Sequence, residues 1–131
     1  MTSVRIDTKA GWLDGRQAAM IQTAQQALSE AFRVLDIASD VILQEHDADR
    51  FTAPPEASVR FTRVEVHSPP VAHAGIKRRL YRALVAGLGE LGVAATDIKI
   101  VIIEVAHENW GIDGGRPASD VLTIEPPGLG P

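Results

Sequence analysis

A lysine set in an apolar run is the first residue of this chain that points to chemistry. Ile98-Lys99-Ile100-Val101-Ile102-Ile103 surrounds one ammonium group with β-branched side chains. Such residues fill a pleated surface, so the run reads as a strand buried on both faces. A charge there needs a reason: Lys99 either anchors an anion, or snorkels to water and pairs with Asp97 or Glu104. Just beyond lie His107, Asn109 and Trp110, followed by Gly111, Gly114 and Gly115. Trp110 is either a flat wall for a ligand or a packing residue that closes a turn. His107 and Asn109 can donate to a ligand or satisfy loop backbone. Cation, aromatic and flexible turn therefore arrive together.

Other chemistries find less support. His46 beside Asp47 and Asp49, with His67 and His73 further on, has metal-capable residue types without a ligand spacing, so no metal or cofactor is expected. The absence of cysteine excludes thiol redox catalysis and a disulfide framework. A net charge of -4, with Lys77-Arg78-Arg79 as the one basic cluster, argues against a dedicated nucleic-acid binder. That cluster reads as the wet face of a helix. The start, Met1 to Asp7, lacks a signal-peptide core and no run approaches ~20 apolar residues, so the expectation is no membrane and a cytoplasmic location.

The elements that must position these residues follow from periodicity. Val4 to Asp7 alternates as a short strand. Met20, Ile21, Ala24, Leu28, Ala31, Phe32 and Leu35 form one face of a helix, with Asp14 as its cap. Val41 to Glu45 reads as a second strand, parallel to the first through a right-handed crossover. After a surface loop over 47–58 the pattern recurs: a strand over Val59 to His67, a helix on Ile76, Leu80, Leu84, Leu88 and Leu91 ending near Gly92, then the strand holding Lys99. Val4 matches Val64, Met20 matches Leu80, Leu28 matches Leu88 and Glu45 matches Glu104, an offset of about sixty residues that marks a duplicated unit.

The 131 residues, 45% hydrophobic and 23% charged, suit a single globular domain. The fold class is α/β (an α+β sandwich): two fused βαβ repeats, about 1–46 and 59–105, form a four-stranded mixed sheet with two helices on one face. A terminal turn or hairpin completes the domain to about residue 120, and 121–131 is a tail. An apolar face left bare on such a sheet invites oligomerisation.

The two units, together with Ile103-Glu104-Val105 leading into Glu108-Asn109-Trp110-Gly111-Ile112-Asp113-Gly114-Gly115, resemble the tautomerase superfamily, most closely a fused 4-oxalocrotonate tautomerase or malonate semialdehyde decarboxylase-like chain. The resemblance implies a homotrimer without cofactor, acting on a small anionic keto or enol acid through the secondary amine of an amino-terminal proline. Thr2 occupies that proline's position. The family's two Gly-Arg-Ser turns read Gly11-Trp12-Leu13 and Val71-Ala72-His73, so both arginines are missing. Lys99 stands at a substrate-binding arginine and Trp110 at the aromatic residue, though lysine lacks the planar fork that grips a carboxylate. If Met1 is removed, Thr2 presents a primary amine in the proline's place. If Met1 stays, the amine shifts by roughly 3.3 Å, enough to spoil near-attack geometry. Weak or absent keto–enol proton transfer is therefore expected, with a non-catalytic oligomeric binding or scaffold protein as the alternative. Arg5, Arg60 and Arg116 are candidates to replace the lost arginines.

Overall fold

The computed structural model describes residues 1–34 and 39–122. Leu35 and the tail from 123 onward lie outside the described residues. Strand β1 (Thr2–Lys9) leads through helix α1 (Gln17–Phe32) to β2 (Ser39–His46), and β3 (Thr62–Ser68) leads through α2 (Ala74–Glu90) to β4 (Ile98–Glu104). A two-stranded ribbon of β5 (Gly111–Ile112) and β6 (Arg116–Pro117) then runs into the short helix α3 (Ala118–Val121).

The sheet order is β2-β1-β3-β4. Within each unit the strands are parallel, and the two units meet antiparallel at β1 and β3. This is the four-stranded mixed sheet with two helices that the periodicity implied. Alternation explains why the helices settle on one side. Val4, Ile6, Val64 and Val66 are buried facing Met20, Ala24, Leu28, Leu80, Leu84 and Leu88, and together they form one core.

Each helix end is finished by an arginine from the other unit. Arg79 donates twice to the Ala31 carbonyl, at 3.0 and 2.6 Å, at the end of α1. Arg16 donates to the Leu91 carbonyl beyond α2 at 2.7 Å. Carbonyls at a helix carboxyl end lack intrahelical partners and carry partial negative charge, so a guanidinium satisfies both needs.

Several local expectations change. β4 is an edge strand, not one buried on both faces: Ile98, Ile100 and Ile102 pack against the core, while Lys99 and Ile103 are exposed on the opposite face. Asp14 does not cap α1; it adopts a left-handed φ of 50°, and Arg16 precedes the helix without a side-chain cap bond. Val59 is 65% exposed and the third strand begins only at Thr62. In the basic cluster, Lys77 pairs with Glu104 and Arg79 holds Ala31, so two of its three cations are engaged.

The sheet face away from the helices is not a continuous apolar patch. The register sets rows Ile42–Arg5–Glu65–Val101 and Gln44–Asp7–Arg63–Lys99 across it. Arg5 donates to both Asp7 oxygens, His46 Nε2 lies 2.6 Å from Asp7 Oδ1, and Arg63 pairs with Glu65 at 2.8 Å. Ile42 and Ile103 are its exposed apolar residues.

Candidate active site

The amino end of β1 is where the sequence candidates can be tested against geometry. Thr2 pairs with Ser39 and Ser3 with Asp40, so the starts of β1 and β2 lie side by side. Beyond them Val105 N–H donates to the Ser68 carbonyl at 2.8 Å, extending the sheet edge before the chain turns over its end. The single turn His107–Asn109 then delivers Trp110.

Three bonds fix Trp110. Its Nε1–H donates to the Val105 carbonyl at 2.9 Å, its backbone N–H to His107 at 3.2 Å, and its carbonyl accepts from Ala118 N–H at 2.8 Å. Ala118 is fully buried. The ribbon that returns the chain to Ala118 turns through Asp113, Gly114 and Gly115, whose φ values of 49°, 81° and 91° all lie in the left-handed region. Glycine enters that region without Cβ penalty, and aspartate tolerates it better than most residues. The Asp-Gly-Gly sequence is thus why the ribbon can fold back and close over β1.

These elements enclose a cavity of about 570 Å³ lined by Met1, Thr2, Ser3, Ser39, Asp40, Trp110, Gly111, Ile112 and Leu122. The volume lies within the range of small-molecule sites. A second recess of about 190 Å³ adjoins it, lined by Ser3, His67, Val105, Asn109 and Trp110. Trp110 is the wall between the two. Thr2 is 4% exposed, and its Oγ1 is buried without a hydrogen-bond partner among the described residues.

Thr2 and Trp110 are therefore brought together, with Asn109 in the adjoining recess. His107 sits in the turn that carries Trp110 but lines neither space. Lys99 is at the other end of the sheet within one chain: it is level with Asp7, five residues along β1 from Thr2, or roughly 17 Å at about 3.3 Å per residue. It forms no ion pair with Asp97 or Glu104. Asp97 accepts from the Ser58 N–H and hydroxyl, and Glu104 is taken by Lys77. Those contacts hold both carboxyls below their usual range, Asp97 through the Ser58 hydrogen bonds and Glu104 chiefly through the Lys77 hydrogen bond.

The candidate replacement arginines are all engaged. Arg5 holds Asp7; Arg60 donates to the Gly92 carbonyl at 3.1 Å and lies 5.5 Å from the Trp12 ring centre; Arg116 pairs with Asp113 at 3.1 Å. No lysine or arginine is among the described residues lining the large cavity, and Asp40 is its one carboxylate. Ser3 Oγ donates to Asp40 Oδ1 at 2.7 Å and fixes it there. Asp40 escaped the sequence reading, since it sits alone at a strand start. Its cross-strand pairing with Ser3 was the available signal, and that required the register. Among the described residues no cluster of three metal-capable side chains occurs, and no helix is long and apolar enough to cross a membrane.

Comparison with known proteins agrees with this architecture. A family model described as tautomerase enzyme matches residues 39–113. No curated protein sequence matches the chain. Among solved structures, FG41 malonate semialdehyde decarboxylase inhibited by 3-bromopropiolate is 23% identical, with a TM-score of 0.81 over 93% of this chain and 98% of that one. Pt0534 inactivated by 2-oxo-3-pentynoate is 15% identical, with a TM-score of 0.82 over 91% and 98%. The Q0 fused 4-OT, a wild-type symmetric trimer, is 18% identical, with a TM-score of 0.80 over 91% and 98%. At these identities the solved structures share the fold. With the family model covering β2 through β4 and the turn that carries Trp110, more than half of the sequence, the chain belongs to the tautomerase family.

Proposed function

We propose that the chain is a homotrimer whose cavity at the start of β1 takes a small keto or enol acid, with keto–enol proton transfer that is weak. The observation that carries this reading is the cavity itself, which sets the first residues of β1 against the Trp110 wall. Solved relatives inhibited by 3-bromopropiolate or inactivated by 2-oxo-3-pentynoate support a reactive-acid ligand class, and a symmetric trimer among them supports the assembly. In a trimer, Lys99 of a neighbouring copy is the cation to meet the ligand carboxylate across the interface, with Asn109 and His107 at the margin. The proton carrier is the chain-start amine, which stands with Met1 and Thr2 at the cavity wall. Thr2 in place of a proline makes that amine primary and less well placed, which is why turnover is weak.

Treatment with 2-oxo-3-pentynoate followed by intact-mass and peptide analysis tests this. The expected result is one adduct, on the chain-start amine, formed more slowly in Lys99→Ala. Sedimentation should give three copies. A second reading, a non-catalytic binding or scaffold protein, is favoured by a described lining without lysine or arginine and by the Asp40 carboxylate. No adduct and no turnover of a generic enol acid would select it.

A further inference from the structure

We infer that Arg116 is a second carboxylate-selecting residue of the large cavity, supplied by the same chain beside the neighbouring copy's Lys99 and held in reserve at the rim by Asp113. The inference rests on the reading that this cavity takes a keto or enol acid. An anion entering it meets mainly apolar walls and Asp40, and apart from the chain-start amine the described lining holds no cationic side chain. A cationic side chain from the same chain must come from the rim.

The ribbon register supplies it. Ile112 lines the cavity and pairs directly with Arg116 across β5 and β6. Directly opposed residues of an antiparallel pair project to the same face, with Cβ atoms roughly 4.5–5.5 Å apart. Arg116 therefore leaves the ribbon beside a lining side chain, on a long flexible stem. The backbone beneath it is fixed by the left-handed turn at Asp113-Gly114-Gly115 and by the Ala118 bond to Trp110.

Its present partner holds it loosely. The Arg116–Asp113 contact of 3.1 Å joins side chains that are 57% and 64% exposed. Water and salt screen such a pair, so leaving it costs little. Against a carboxylate within apolar walls the same guanidinium gains more, because the local dielectric is lower and its planar fork matches two oxygens. Asp113 thus competes with the ligand for one cation.

The test uses the full chain and the two indole N–H signals in NMR, assigned with Trp12→Phe. Pyruvate and its uncharged amide are titrated separately while the Trp110 signal is followed. Arg116→Gln should weaken pyruvate binding about tenfold and leave the amide unchanged. Arg116→Lys should recover part of the loss, and Asp113→Asn should tighten pyruvate severalfold. An unchanged acid-to-amide preference in Arg116→Gln overturns the proposal, as does a Trp110 signal that responds to neither compound. Adduct formation at the chain-start amine is read separately, so loss of the Arg116 role is distinguishable from failure of the site.

Discussion

The two ends of the sheet are built from the same repeat and have become different places. At one end β1 and β2 begin with Thr2, Ser39 and Asp40; at the other, β3 and β4 begin with Thr62, Ile98 and Lys99. The duplicated units make Asp40 and Lys99 counterparts of opposite charge. At the Lys99 end side chains pack together. Thr8 Oγ1 donates to the Phe61 carbonyl and accepts from Trp12 Nε1–H at 3.0 Å, and Phe61 is buried. Over the Asp40 end the terminal ribbon stands off the sheet and leaves a cavity. The two ends of the repeat are thus finished differently, one by Thr8, Trp12 and Phe61 from within the units and the other by the ribbon that follows them.

The strongest challenge to the repeat is in the core. Leu28 and Leu88 are matched positions, each 1% exposed. Truncation of either to alanine removes buried contacts and leaves a cavity, so each should cost about 2–5 kcal/mol in urea unfolding. Losses differing by more than about 2 kcal/mol would mean that the halves share a pattern but not their energetics.

The two tryptophans sharpen the contrast between the ends. Trp12→Ala removes a half-buried ring, its bond to Thr8 and its contacts with the Arg16 and Arg60 guanidinium groups, and should cost about 2–3 kcal/mol. Trp110→Ala should cost less, about 1–2 kcal/mol, while changing ligand binding far more than Trp12→Ala. The reverse order in binding would move the site to the Lys99 end.

Acid should then weaken both ends through their anchored carboxylates. Burial pushes Asp7 up, but the hydrogen bonds and charges of Arg5 and His46 outweigh it and hold the carboxyl below its ordinary value of 3.8. Asp97 and Glu104 are lowered too, by Ser58 and Lys77. A folded-state pKa below the unfolded one contributes stability that is present above the unfolded value and lost as pH falls through the folded value. Unfolding free energy should therefore drop below about pH 4.5. Asp97→Asn should cost about 1–2 kcal/mol at neutral pH, and the difference from the native chain should shrink in acid.

The smallest effect belongs to Lys99. It is exposed and without an ion pair among the described residues, so Lys99→Ala should change chain stability by less than about 0.5 kcal/mol. A larger loss, measured at rising protein concentration, would indicate an interface contact.

Sequence periodicity reveals the repeat because burial imposes it: Val4, Met20 and Leu28 face the same core as Val64, Leu80 and Leu88. The run around Lys99 misleads because an edge strand and a central strand share β-branched composition, and only the register shows which side lacks a neighbour. Asp14 misleads for a related reason: aspartate suits both a helix cap and a left-handed turn, and the chain uses the second. Trp110 is legible as an aromatic at a strand exit, whereas Asp40 emerges only once two distant strands are aligned.

The arginine clamps carry a consequence for the history and engineering of the chain. Since Arg79 completes α1 and Arg16 completes α2, neither half retains its own helix terminus if the polypeptide is severed in the loop over 47–58. Separately produced halves should therefore be partners rather than independent folds, each supplying the guanidinium that the other has ceased to provide for itself.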